Sequence, residues 1–113
     1  MTRLLVATDF SADAQFAVDR AGQLARGWNA ELDLLHVPTH GTWPQGTGVL
    51  SKYLGGGNLA SLQEDEQRLA GLAAALSRRF RIKAAVHLVP GRAAAEIAAF
   101  ATAREADLVI LAV

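Results

Sequence analysis

Leu4-Leu5-Val6-Ala7-Thr8-Asp9-Phe10-Ser11-Ala12-Asp13 opens with an apolar run, passes through a polar turn and enters an alanine-rich stretch. Four apolar residues in a row suit a strand covered on both faces, which is the habit of parallel sheets. Ser11 is placed to cap a helix, and Asp13 falls in the first turn, where the positive helix end stabilises a carboxylate. Ala14, Ala17, Ala21, Leu24 and Trp28 then recur at spacings of three and four, and Gly27 marks the far end of the helix. A strand that turns directly into a helix is the first half of a crossover unit.

The same apolar run returns three times, at residues 32–37, 84–89 and 108–113. Between the second and third runs, Leu62, Leu69, Leu72, Leu76 and Phe80 form a helical stripe, with Asn58 as its cap and Glu64–Arg68 as an i,i+4 pair. Between the last two, Ala94, Ile97 and Ala101 face inward after Gly91. The order β-α-β-loop-α-β-α-β predicts an open, doubly wound parallel α/β sheet with right-handed crossovers. The exception is residues 38–57, which hold six of the ten Gly and two of the three Pro. A connection of that length is uncommon without a function, and Trp43 and Tyr53 within it are placed either to close over a ligand or to ride on a plain loop.

Composition narrows the class. The 113 residues make one domain by length, and 51% of them are hydrophobic, which excludes intrinsic disorder. Eleven basic residues balance eleven acidic ones, against the basic excess of a nucleic-acid binder. The chain has no Cys, so it carries no disulfide framework and no thiolate chemistry, in keeping with a reducing cytoplasm. No apolar run approaches the ~18 residues of a membrane span, and Asp9 interrupts the first one too early for a signal segment.

In open α/β sheets, ligands sit beyond the carboxyl ends of the strands. Thr8-Asp9-Phe10-Ser11 is the first such end, and it carries Asp9 where a dinucleotide fold carries a glycine fingerprint. There is no Gly-x-x-x-x-Gly-Lys-[Ser/Thr] loop either; Gly46-Thr47-Gly48 follows no strand, and Gly55-Gly56-Gly57 reads as a hinge, with a phosphate cradle ahead of the helix opened by Asn58 as the alternative. Asp9 has two readings: its carboxylate accepts a hydrogen bond from a ligand, or it satisfies the backbone at the start of the first helix together with Ser11. His36 and His87 lie within apolar strands and read as packed histidines, with a ligand or catalytic role as the alternative. His36 and His40 share no helical face, no zinc-ligand cluster surrounds them, and no serine elbow or placed His–Asp pair supports hydrolysis. Arg78-Arg79-Phe80-Arg81-Ile82-Lys83 reads as a solvated helix end with an anion or partner site as the alternative, and Glu64-Asp65-Glu66 as a solvated face.

These segments together resemble the universal stress protein family. Residues 4–11 with their alanine-rich helix resemble its opening, and Leu34-Leu35-His36-Val37 its second strand. Val89-Pro90-Gly91-Arg92-Ala93-Ala94-Ala95-Glu96-Ile97 resembles its third strand and turn, and Ala106-Asp107-Leu108-Val109-Ile110-Leu111 its fourth. The resemblance covers the whole chain in the family's order. It implies the adenine-nucleotide alpha-hydrolase type of fold, with strand order 3-2-1-4 here and the family's fifth strand and last helix missing. It implies a homodimer and a cytoplasmic stress-response domain that is non-catalytic and acts by association and ligand sensing. The alternative it implies is a switch that binds ATP or AMP at the carboxyl ends of strands 1, 2 and 4. In that case Asp9 meets the ribose or adenine, Ala7 and Thr8 lie beneath the nucleotide, the Val37 backbone reads the adenine edge, and Leu111 lines the pocket. The phosphate motif, Gly-x-x-Gly followed by Gly-[Ser/Thr], begins at the position of Ala112, where a Cβ replaces glycine. Nucleic acid and membrane are not among the implied partners. The resemblance also predicts that residues 1–113 form a single domain incomplete at its carboxyl end, with 108–113 left as a sheet edge open to other chains.

Overall fold

Leu4, Leu5 and Val6 have no exposed surface, because β1 (Arg3–Ala7) is an inner strand with helices on both sides. The computed structural model describes residues 2–38 and 57–112, so Trp43, Tyr53 and most of the predicted loop lie outside the described residues. After β1 come α1 (Ala12–Trp28), β2 (Glu31–His36), α2 (Gly57–Phe80), β3 (Ala84–Leu88), α3 (Ala93–Ala103) and β4 (Leu108–Ile110). The four strands form one parallel sheet in the order β3-β2-β1-β4, as predicted. Register aligns Val6 with Leu34 and with Ile110, and Leu34 with Val86. Among the described residues, no helix is long and apolar enough to cross a membrane.

Side chains alternate across the pleat, so each strand feeds two cores. On one face Leu4, Val6, Leu32 and Leu34 pack against Val18, Ala21 and Ala25 of α1 and Leu69, Ala73, Leu76 and Phe80 of α2. On the other, Leu5, Leu35 and Val37 meet Ile97, Phe100 and Ala101 of α3 together with Val109. The second layer is thinner, and α3 has no fully buried residue.

Two details of α1 differ from the sequence reading. Its buried face is Ala14, Val18, Ala21, Gly22 and Ala25, rotated by about one residue from the predicted stripe, and Trp28 is 49% exposed. Its end is set by Asn29 in the left-handed region (φ 52°), two residues past Gly27. Ser11 does cap the helix, its Oγ accepting from the Ala14 amide at 3.1 Å. Helix α2 begins at Gly57, so Gly57 leaves the predicted loop and Asn58 falls inside the first turn. Arg68 does not close the predicted pair with Glu64; its guanidinium lies 4.2 Å over the Phe10 ring.

Two carboxylates are buried against expectation. Asp65, predicted as part of a solvated face, has 7% of its surface exposed and stands 3.4 Å from His36 Nε2. Asp33, within the second apolar run, is 3% exposed. Its Oδ1 accepts from Arg104 Nη2 at 3.2 Å and lies 3.0 Å from His87 Nε2, while Arg3 Nη1 stands 3.7 Å from Oδ2. Burial of a carboxylate requires such partners, because desolvation of an unpaired charge is costly. The sequence pattern placed neither His–Asp pair: His36 stands beside Asp65 of α2, and His87 beside Asp33 with Phe100 of α3 against its ring.

Candidate functional site

The turn after β1 is held by its own side chains. Thr8 is buried, its amide donates to the Leu35 carbonyl at 2.9 Å, and its Oγ1 accepts from the Phe10 amide at 3.0 Å. Its carbonyl accepts from His36 Nδ1 at 2.7 Å, which makes Nδ1 the protonated nitrogen, since a carbonyl only accepts. The Phe10 ring stacks on that imidazole with centroids 4.5 Å apart. Phe10 itself has φ 66°, a left-handed conformation that bulky residues rarely adopt. The stack on His36 and the cover of Arg68 hold it there.

Asp9 is exposed beside this turn, and its Oδ1 accepts from the Ser11 amide at 2.9 Å. The backbone reading of Asp9 is thus satisfied by one oxygen, and the ligand reading is not displaced by it. The Ser11 hydroxyl, and then the Ser11 amide, hold its carboxyl below the usual range. A lowered folded-state pKa contributes stability that is present above the ordinary value of about 3.9 and is lost as pH falls through the lower folded value. Asp9→Asn is therefore expected to flatten the acid limb of a urea-stability profile below about pH 4. A limb identical to that of the parent would show that the turn does not hold the ionised form.

A cleft of about 390 Å³ opens at the carboxyl ends of β1, β2 and β4. Ala7, Thr8, Asp9, Val37, Leu111 and Ala112 all line it, so six residues from three separate segments meet at one place. The size lies within the range of small-molecule pockets, about 300–1,000 Å³. Its remaining walls are Ala14 of α1 and Ala93, Ala94 and Ile97 of α3, which the sequence reading did not assign to a site. The signal for two of them was present, since Ala94 and Ile97 belong to the inward stripe of that helix. Val37 offers its backbone here. Leu35 bonds towards β1 and His36 towards Val89, so by the alternation of a parallel ladder the Val37 amide and carbonyl face β1 again, where β1 has already turned away.

The lining is mostly small and apolar, with one carboxylate at the rim. No Lys or Arg lines the cleft among the described residues. No group of three or more His, Cys, Asp or Glu side chains able to hold a metal occurs among the described residues. The arrangement can accept a flat apolar ring between Val37 and the alanines of α3 and can bind hydroxyl or amino hydrogens at Asp9.

The model of the universal stress protein family matches residues 1–113. No protein of curated function matches the chain. Among solved structures, a protein of that family from Burkholderia pseudomallei superposes with a TM-score of 0.76 at 24% identity, over 99% of this chain and 81% of its own. The universal stress protein UspA of Lactobacillus plantarum gives 0.65 at 26% identity, over 97% and 75%. A universal stress protein solved in complex with cAMP gives 0.66 at 21% identity, over 96% and 74%.

Proposed function

The chain belongs to the universal stress protein family, and we propose on that footing that it is a non-catalytic binding module that takes the nucleoside end of an adenine nucleotide. The observation that carries the reading is the convergence of Ala7, Thr8, Asp9, Val37, Leu111 and Ala112 around one cleft. The adenine lies against Val37 and Ile97, with the Val37 backbone reading its edge. Asp9 accepts from the ribose hydroxyls. The cAMP complex of a related structure supports the choice of an adenine ligand. Because no cationic side chain of the described residues lines the cleft, added phosphates contribute little, and AMP and ATP bind alike. The stress-response role, the cytoplasmic setting and pairing with a second copy rest on family membership alone.

Calorimetry at millimolar AMP and ATP tests this. Both are expected to bind with affinities within about threefold of each other, since neither gains a charged partner. Asp9→Ala should weaken AMP at least about tenfold, the worth of a hydrogen bond to a charged group. Ala94→Phe fills the cleft from an exposed helix position and should abolish binding with little change in thermal midpoint. Absence of heat with either nucleotide would leave association without a ligand as the function. Unchanged affinity in both variants would move the site elsewhere.

A further inference from the structure

The cationic run at residues 78–83 is not used by the cleft. It leaves the end of α2 and enters β3 at the amino ends of the strands, on the opposite side of the sheet from Asp9. There a groove of about 950 Å³ opens between the last turns of α1 and α2 and the starts of β2 and β3. Part-buried Ile82 gives it apolar surface over the buried Ala25 and Ala30, and half-exposed Trp28 forms a wall. Arg26 of α1 lines it as well, with Arg81 and Lys83 of the connection between α2 and β3, and all three are exposed.

None of these three cations has a carboxylate within ion-pair distance among the described residues. Glu31 is the one acidic group lining the groove among the described residues, and it is already held by Arg3 Nη2 at 3.1 Å. The favourable field at a helix end accounts for Arg78 and Arg79 in the last turn of α2. It does not account for Arg81. Arg81 has φ 55°, the left-handed conformation that closes helices most easily with glycine or asparagine. Helix α1 ends in that way on Asn29, whereas α2 carries an arginine at the strained position and so sets a guanidinium at the groove.

We propose that this groove docks an acidic peptide segment of a partner protein. Carboxylates of the segment meet Arg26, Arg81 and Lys83, and an apolar side chain packs against Trp28 and Ile82. A peptide fits better than a nucleic-acid strand because the groove offers one aromatic and a short set of cations, and the chain as a whole has zero net charge. The site is independent of the nucleotide cleft.

The probe is a dye-labelled nonapeptide of alternating Glu and Leu, followed by fluorescence anisotropy on the full chain. Binding is expected at low ionic strength and should weaken sharply towards about 0.15 M salt, where exposed charges are screened. Arg81→Gly suits the backbone and should raise the thermal midpoint, yet weaken the peptide about threefold, the worth of one exposed ion pair. Arg26→Ser with Lys83→Ser should weaken it about tenfold. If the peptide does not bind, or if neither variant weakens it, the proposal falls. Equal or tighter binding of a ten-uridine RNA would overturn it in favour of nucleic acid. Self-association that Arg81→Gly abolishes, with the peptide unbound, would overturn it in favour of a second copy of this chain.

Discussion

Gly22→Val is expected to destabilise the protein by about 3 kcal/mol, the upper end of the cost of overfilling a packed core. Gly22 lies where α1 crosses α2. A Cβ built there would stand 2.5 and 2.6 Å from two carbons of the Phe80 ring and 3.1 Å from Leu76 Cδ2. Real Cβ atoms do not come that close to a ring, and Phe80 is buried, so the ring has no solvent to swing into. Alanine would gain up to about 1 kcal/mol of helix propensity over glycine, and valine gains less because its branched Cβ loses rotamers in a helix. The steric term therefore wins for both, and by more for valine. Against a net stability of about 5–15 kcal/mol for a small domain, the valine variant loses a large share. Urea unfolding of Gly22→Val, Phe80→Ala and the double variant measures it. The two single losses should sum to clearly more than the double, since removing the ring removes the overlap. Additive losses would show that the helices do not meet at this point.

Leu34→Ala should cost about 3 kcal/mol, within the range for emptying a leucine site in a core. Leu34 has no exposed surface and sits on an inner strand, between Val6 on β1 and Val86 on β3. The strands on both sides prevent collapse into the void, so the cavity term is retained. A loss of this size lowers the thermal midpoint by roughly 10 °C for a domain of this length. Leu108→Ala is the matched control: the same chemistry on edge strand β4, where 36% of the residue is exposed. It should cost less than about 1 kcal/mol, because little apolar surface returns to water. Equal losses for the two variants would contradict the order β3-β2-β1-β4, since only an inner strand gives Leu34 neighbours on both sides.

The strands were legible because runs such as Leu4-Leu5-Val6-Ala7 have no helical period and are too short for helices. The resemblance places Asp9, Val37 and Leu111 at strand ends, and the fold brings them to the lining of one cleft, which is a property of three-dimensional closure that no local pattern records. The phase of α1 was poorly written. Of the 23 Ala in the chain, several crowd this helix, and alanine is at home on either face. Val18 was the one side chain that fixed the phase, and Trp28 pulled the reading the other way. Asp65 could have been found: with Leu62 and Leu69 it keeps the spacing of three and four that runs on to Leu76. A carboxylate on a core stripe implies a partner. That the partner is His36 depends on where α2 lands on the sheet, which no local pattern records. The clasp on Asp33 is of the same kind, since His87 and Arg104 come from 54 and 71 residues further along.

That clasp also bears on the order in which the molecule comes apart. Helix α1 is fastened by five buried positions, whereas α3 has none and is tied to the sheet by a handful of half-buried contacts and by Arg104 on Asp33. Local opening starts where buried contacts are fewest, so α3 belongs to the low end of the free-energy ladder of partial unfolding. The same helix forms one wall of the cleft. Its backbone amides should therefore exchange with solvent long before those of β1 and β2, and a ligand seated against Ala94 and Ile97 would slow that exchange without altering the sheet. Binding would then be recorded as a change in how often one wall lifts, with the rest of the fold unmoved.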